Sequence, residues 1–359
     1  MSRYINKAEK NLIKPESFRH PVDFVLPWVD GNDPEWRGRK AQYTGTVSSD
    51  DREQRYRDWG LLRYWFRGVE QFAPWVNHIW FICDQEPPAW LDQDHPKLTV
   101  VRHEDYLPEE YRPAFSANPI ELNLHRIRGL SERFVYFNDD MFLLRPVKKS
   151  MFFKNGFPCD SAVMNPVPTD TIAKSGTDSK LFLYFLNDAE YLNRDYDFHS
   201  CIRRHPVKWL HPCYGADAIR NLVLCAWPRF VGFAEDHLPN AFLKSSFEKA
   251  WEQDPDILDA TSRHHLRDDR DVNQWFIRIR QLAEGSFVPR GRRKNCCFNI
   301  HEDSRNMHRM IRKQRGPMIC VNDVKTLTEK EFIRLQGKLQ ADFDVILGKP
   351  SSFEIEVSG

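Results

Sequence analysis

Residues 134–144 read FVYFNDDMFLL, and the parsing of this stretch decides the fold. Phe134 to Phe137 are an unbroken apolar run that starts after Arg133. A parallel strand covered on both faces is nearly continuous in apolar residues. Asn138, Asp139 and Asp140 end the run, and a second apolar segment, Met141 to Leu144, follows. Open α/β sheets bind ligands beyond the carboxyl ends of their strands, so this parsing puts two carboxylates where a ligand would sit. At about 4 Å and an effective dielectric of about 20, two such charges repel by on the order of 4 kcal/mol. A divalent cation relieves the repulsion, and oxygen ligands suit Mg²⁺ or Mn²⁺. Asn and Asp are also turn formers, so the residues alone leave a solvated turn as the other reading.

The flanking chain alternates strand and helix signals. Residues 22–29, VDFVLPWV, predict a first strand, followed by the turn-rich loop DGNDPEW. Residues 37–58 are polar and charged and predict a loop over the site. Trp59, Leu62, Phe66 and Val69 recur at helical spacing, so 58–72 predicts an amphipathic helix. Strands are expected at 77–83 and 98–102, and a helix at 118–129 closed by Gly129. This order predicts an α/β fold with a mostly parallel, Rossmann-type sheet.

Residues 145–215 lose the alternation and predict an insertion that caps the sheet. Helices are expected at 216–227 and 240–253, and one from Val272 through Ala283 closed by Gly285. A short strand at 318–321 leads into Asn322-Asp323. Thr328 and Glu331 make a capping box for a last helix. The expected organisation is an extension at 1–20 and an α/β half at 21–150. A helical insertion or cap at 151–237 follows, and 238–359 completes the same domain.

Composition narrows the function classes. The 359 residues are 41% hydrophobic and 29% charged, which suits a folded globular chain. A net charge of +1 gives no general case for nucleic acid. The 11 tryptophans suit a sugar-handling cleft. Eight scattered cysteines without a C-x-x-C spacing point to thiols in a reducing compartment. The first residues carry no apolar signal segment, and no run approaches the length of a membrane span. A cytoplasmic chain is expected. Peripheral contact with the inner face of the membrane is left to the basic runs at 290–294 and 309–315.

Charged clusters stand at element ends: Asp30 to Asp33, Arg55 to Asp58, Asn138 to Asp140, His264 to Asp271, and Asn322-Asp323. Such clustering is expected of a phosphate-handling site. Carboxylates hold a metal, arginines take phosphate oxygens bidentately, and an imidazole or carboxylate accepts a proton. Each cluster alone also reads as a solvated loop.

Taken in order, these blocks resemble the four regions of the Stealth family of sugar-phosphate transferases. DFVLPWVDGNDPEW at 23–36 resembles the first. RYRDWGLLRYWFRGVEQFAPWVNHIWFICD at 55–84 and FSANPIELNLHRIRGLSERFVYFNDDMFL at 115–143 resemble the second. LPNAFLKSSFEKAW at 238–251 with TSRHHLRDDRDVNQW at 261–275 resembles the third, and ICVND at 319–323 with SSFE at 351–354 the fourth. The subtype resembles bacterial capsular polysaccharide phosphotransferases.

The resemblance implies a glycosyltransferase-A-like fold, a UDP-sugar donor, Mg²⁺ or Mn²⁺, and an oligosaccharide or polysaccharide acceptor. The implied reaction transfers an N-acetylhexosamine 1-phosphate to a glycan hydroxyl and releases UMP. The alternatives are an ordinary metal-dependent glycosyltransferase that releases UDP, and a non-catalytic glycan-binding protein. It implies Trp28, Asp30, Gly31, Asp33, Arg57, Asp58, Arg63 and Asn138 as donor contacts. Asp139, Asp140 and Asp323 are implied at the metal, and Asn322 in the same pocket. Asp140, His264, Arg267 and Asp271 are implied in catalysis. His264 is the first candidate base, since imidazole titrates near neutrality. Asp271 is the second, or else caps the helix after it.

Overall fold

Strand β1 (Asp23–Pro27) is the middle of a five-stranded sheet. It pairs in parallel with β2 (Ile79–Ile82) on one side and β4 (Arg133–Tyr136) on the other, and β2 pairs with β3 (Leu98–Val101). The computed structural model describes residues 20–43, 56–167, 180–300, 304–323 and 327–356. The mostly parallel, Rossmann-type arrangement predicted from the sequence is therefore present. Phe24 of β1 shows why these strands run apolar on both faces. It is fully buried, with Trp65, Trp75, Phe137 and Phe152 around its ring. Helix Leu62–Phe72 buries Trp65, Phe66 and Val69 against that face. Phe276 and Ile277 of helix Gln274–Ala283 join Phe134 and Tyr136 in the core on the other face. Full burial of one such side chain contributes roughly 1.5–3 kcal/mol.

Directly after β4 the chain turns at Asn138-Asp139-Asp140 and enters β5 (Met141–Leu143), which belongs to a second sheet. Strands β6 (Phe153–Lys154) and β7 (Phe157–Asp160) form a small third sheet with β9 (Val288–Pro289). The main sheet ends on β8 (Asn240–Leu243), antiparallel to β4. The second sheet is completed by β10 (Cys297–Asn299) and β11 (Met318–Asn322). β11 runs antiparallel to β5, and the Val321 amide donates to the Asp140 carbonyl at 2.8 Å. The carboxyl end of β11 is thereby carried to the acidic turn at the end of β4.

Several expected elements differ. Residues 240–243 are strand, not helix, because Phe242 pairs opposite Phe134 and is fully buried there; the helix starts at Lys244. The helix expected at 118–129 stops at Leu122. The Asn123 amide takes the Pro119 carbonyl at 2.8 Å and Ser262 at 3.0 Å, competing with the helical ladder. Gly129 adopts a φ of 94° beyond it, in the connection to β4. The loop expected at 37–58 begins as helix Pro34–Ala41, N-capped by Asp33; residues 44–55, including Arg55, lie outside the described residues. Helix Gln274–Ala283 is capped by Asn273, not Asp271, while Thr328 and Glu331 form the expected capping box. Among the described residues no helix is long and apolar enough to cross a membrane.

Candidate active site

The two carboxyl ends meet at a cavity of about 580 Å³. Trp28 beyond β1, Arg57 and Asp58 before helix Leu62–Phe72, and Asn138, Asp139 and Asp140 after β4 line it. Asn322 and Asp323 at the end of β11, with Arg267, complete the set of sequence-predicted residues found there. Asp140 and Asp323, distant in sequence, thus share one wall, through the antiparallel pairing of β11 with β5.

Asp139 is exposed to the cavity. Desolvation by the protein crowded around that cavity, the neighbouring Asp140 and then Asp58 raise its carboxyl to about 7. Asp140 is more tightly held. Its Oδ2 lies 3.4 Å from His237 Nε2 and accepts from Cys320 Sγ at 3.2 Å. Its Oδ1 is buried with no partner. Burial opposes the charge on His237, but Asp140 outweighs it and raises the imidazole to about 9. The ligand atoms of Asp140, His237 and Cys320 lie within 4.8 Å of one another. A buried, unpaired carboxylate oxygen is costly, and beside a second carboxylate it suits a cation. The donor set at the turn therefore fits the oxygen-loving metal expected from the sequence.

Asp323 is differently engaged. Its Oδ2 forms an ion pair with Arg57 at 3.2 Å and accepts from Trp59 Nε1 at 3.1 Å. Arg57 also lies over the Phe332 ring, 5.3 Å from its centre. Asp323 fixes a guanidinium at the cavity wall. Burial raises the Asp58 carboxyl, and its Oδ1 accepts from the Gly60 amide at 2.8 Å.

Other predicted residues lie outside the cavity lining. The Asp30 amide donates to Gln85 Oε1 at 2.7 Å, and Gln85 Nε2 donates to Asp33 at 2.7 Å, which lowers the Asp33 carboxyl. A side chain at Gly31 would run into the Tyr56 backbone, at 1.9 Å from its carbonyl oxygen. This loop builds the turn that follows Trp28. Arg63 is exposed on its helix and lies over Trp90, 5.0 Å from the ring centre. Glu354 of the SSFE segment grips Arg67 bidentately, tying the chain's end to the same helix.

His264 and Asp271 also stand behind the lining. His264 Nδ1 and Asp271 Oδ1 are 2.6 Å apart, and Asp271 raises the imidazole. Asp271 Oδ2 accepts from Asn118 Nδ2 at 2.8 Å and from the Asp268 amide at 3.0 Å. Asn118 does line the cavity, so the pair reaches it through that side chain.

Among the lining residues that were not anticipated are Glu121, Glu235 and His237. Glu121 is buried, and burial lifts its carboxyl to about 7 against the pull of the Tyr136 hydroxyl, 2.8 Å away. Its segment, SANPIELN, has no charge cluster to signal it. Glu235 Oε1 accepts from the His237 amide at 3.0 Å, and Oε2 from Arg278 at 2.8 Å. Those bonds hold His237 at a φ of 48°, sparsely used by non-glycine residues. The run Glu235-Asp236-His237 was a signal in itself.

Residues 20–48 match Stealth protein CR1, conserved region 1, and residues 55–159 match Stealth protein CR2, conserved region 2. The chain is 34% identical to a capsular polysaccharide phosphotransferase, WcwK, of Streptococcus pneumoniae, covering 93% of this chain and 98% of that one. It is 36% identical to the receptor polysaccharide phosphotransferase WefC of Streptococcus gordonii, with 93% and 99% covered. It is also 36% identical to the exopolysaccharide phosphotransferase cps2G of Lactiplantibacillus plantarum, with 93% and 96% covered. With both conserved regions in order and near-complete mutual coverage, the chain belongs to the Stealth family, beside these bacterial polysaccharide phosphotransferases.

Proposed function

We propose that the chain moves an N-acetylhexosamine 1-phosphate from a UDP-sugar to a hydroxyl of an oligosaccharide or polysaccharide, in capsular or other cell-surface polysaccharide synthesis. The observation that carries this reading is the pairing of charges in one cavity. The guanidiniums of Arg57 and Arg267 share it with Asp139 and Asp140, one of whose oxygens is buried and unpaired. A transferred phosphoryl group needs cationic donors and charge neutralisation more than covalent help.

Asp139 and Asp140 are the residues that would hold Mg²⁺ or Mn²⁺. When bound, such an ion offsets charge on the donor's phosphates. Arg57, braced by Asp323, and Arg267 bind phosphate oxygens. Trp28 offers a flat apolar face to the donor. In the chemical step the acceptor oxygen bonds to the β-phosphorus, the bond from that phosphorus to the bridging oxygen breaks, and UMP leaves. The acceptor's proton passes to a base. Glu121 takes this role in our reading, because it lines the cavity with a carboxyl near 7. His264, the base expected from the sequence, then positions Asn118 in the cavity wall through Asp271.

The reading is tested by the nucleotide product. The protein is incubated with UDP-N-acetylglucosamine, Mg²⁺ and an oligosaccharide acceptor. Ion exchange should show UMP, and the ³¹P spectrum of the glycan a phosphodiester. UDP with a phosphorus-free glycan would replace the reading with ordinary glycosyl transfer.

A further inference from the structure

Exposed apolar side chains are concentrated in one stretch of the chain. Nine large hydrophobic residues are exposed among the described residues, and five of them fall between 207 and 227: Val207, Ile219, Leu222, Val223 and Trp227. Each is between 57% and 71% exposed. Ile219, Leu222 and Val223 lie at i, i+3 and i+4 of helix Asp217–Leu224 and therefore share one face. The opposite face is anchored. Asn221 is fully buried and donates to the carbonyls of Ala162 at 2.8 Å and Trp209 at 2.7 Å. The apolar side chains are held outward by that anchor.

The surrounding charge is predominantly basic, although Asp197 lies 3.8 Å from Arg203. Residues 203–229 contain Arg203, Arg204, Lys208, Arg220 and Arg229 and a single acid, Asp217. Asp217 is neutralised by Arg220 at 3.2 Å and by Lys294 at 2.8 Å. The second contact brings the basic run 290–294 alongside the helix. His199 also bonds the Cys225 carbonyl at 3.2 Å, which sets the helix bearing Arg203 and Arg204 against the end of this one.

We propose that this face seats the protein on an anionic lipid bilayer. Ile219, Leu222, Val223 and Trp227 enter the headgroup layer, while Arg203, Arg204, Arg229 and Lys294 lie over lipid phosphates. A second copy of the chain is a poorer occupant. An isologous contact would lay the same arginines against one another. A polysaccharide offers little apolar surface to four aliphatic and indole side chains. The assignment is independent of the chemistry at Asp139 and Asp140.

The full chain is floated with vesicles of phosphatidylglycerol in phosphatidylcholine, and with phosphatidylcholine alone. Binding should need the anionic lipid and weaken with salt. Leu222→Glu and Trp227→Glu should each lower the bound fraction about tenfold. Their melting temperatures should match the parent's, since both side chains are exposed. Asp140→Asn should float like the parent. Vesicle binding unchanged in both variants, or none by the parent, overturns the proposal. So does a dimer, seen by light scattering and split by Leu222→Glu, in a chain that does not bind vesicles.

Discussion

His264 Nδ1 lies 2.6 Å from Oδ1 of Asp271, an aspartate with no exposed surface. A base must reach the acceptor, and Glu121 is a carboxylate of the cavity lining, raised to about 7 by burial, that feels the charge of Arg267. Glu121→Gln is therefore expected to lower kcat by about 10²-fold or more. His264→Ala should lower it by less than about tenfold, while the melting temperature falls because Asp271 loses a partner, a loss worth about 1–3 kcal/mol. The imidazole is raised above its ordinary value, so the pair's stabilisation is complete below that value and is lost as pH rises through the raised one. Thermal melts across pH would record this in the parent and not in His264→Ala. The opposite order of kcat losses, with both variants folded, returns the base role to His264.

Asp140 is expected to be indispensable. Asp140→Asn should abolish turnover without unfolding the chain, and EDTA should reproduce the loss in the parent, reversibly with Mg²⁺ or Mn²⁺. The same substitution has a spectroscopic mark. His237 is raised to about 9 by its contact with Asp140, against the effect of burial. With the charge removed, burial dominates, and its imidazole resonances should titrate well below 9. Full activity in chelator removes the metal from the mechanism. An unchanged His237 titration removes the ion pair.

Asp139 sets an expectation for pH. Its carboxyl sits near 7 because of desolvation within the cavity and of Asp140 and Asp58. Below that pH it carries a proton and holds a cation poorly; above it, both turn carboxylates are charged. Activity at limiting Mg²⁺ should rise through neutrality. Excess Mg²⁺ competes with the proton and should move the acid limb to lower pH. Profiles at two metal concentrations check this, and coincident limbs would assign the limb to Glu121 instead.

The legible parts of the chain were those whose signal is local. Four parallel strands were readable because runs such as Phe134 to Phe137 are apolar on both faces, and the acidic turn after them is contiguous. Where partners lie far apart in sequence, the signal failed. Asn240–Leu243 forms a strand through its pairing with β4, which nothing in NAFLKSS announces. Glu121 owes its carboxyl's high value to burial, a property of the assembled core. Arg63 stands on the charged face of a helix, and Asp33 in a charged cluster like those of the cavity carboxylates. One lies over Trp90 and the other caps a helix. Charge density alone does not separate binding groups from those that shape a loop.

Arg57 and Asp323 give the last expectation. Both side chains are only 8% exposed, 3.2 Å apart, with Trp59 Nε1 donating to the same carboxylate oxygen. The sequence suggested Asp323 as a metal ligand, whereas this geometry makes it a brace for the guanidinium. The two roles predict different losses. If Asp323 braces Arg57, Asp323→Asn keeps a neutral acceptor for Trp59 but releases the arginine. The KM for the UDP-sugar should then rise about tenfold, near 1.4 kcal/mol, while the Mg²⁺ concentration for half-maximal rate stays put. Arg57→Lys should behave alike, because an ammonium cannot reproduce the planar fork on phosphate. The double variant should be little worse than either single one, since both remove the same contact. A shift in the Mg²⁺ requirement of Asp323→Asn, with the donor KM unchanged, would place Asp323 at the metal.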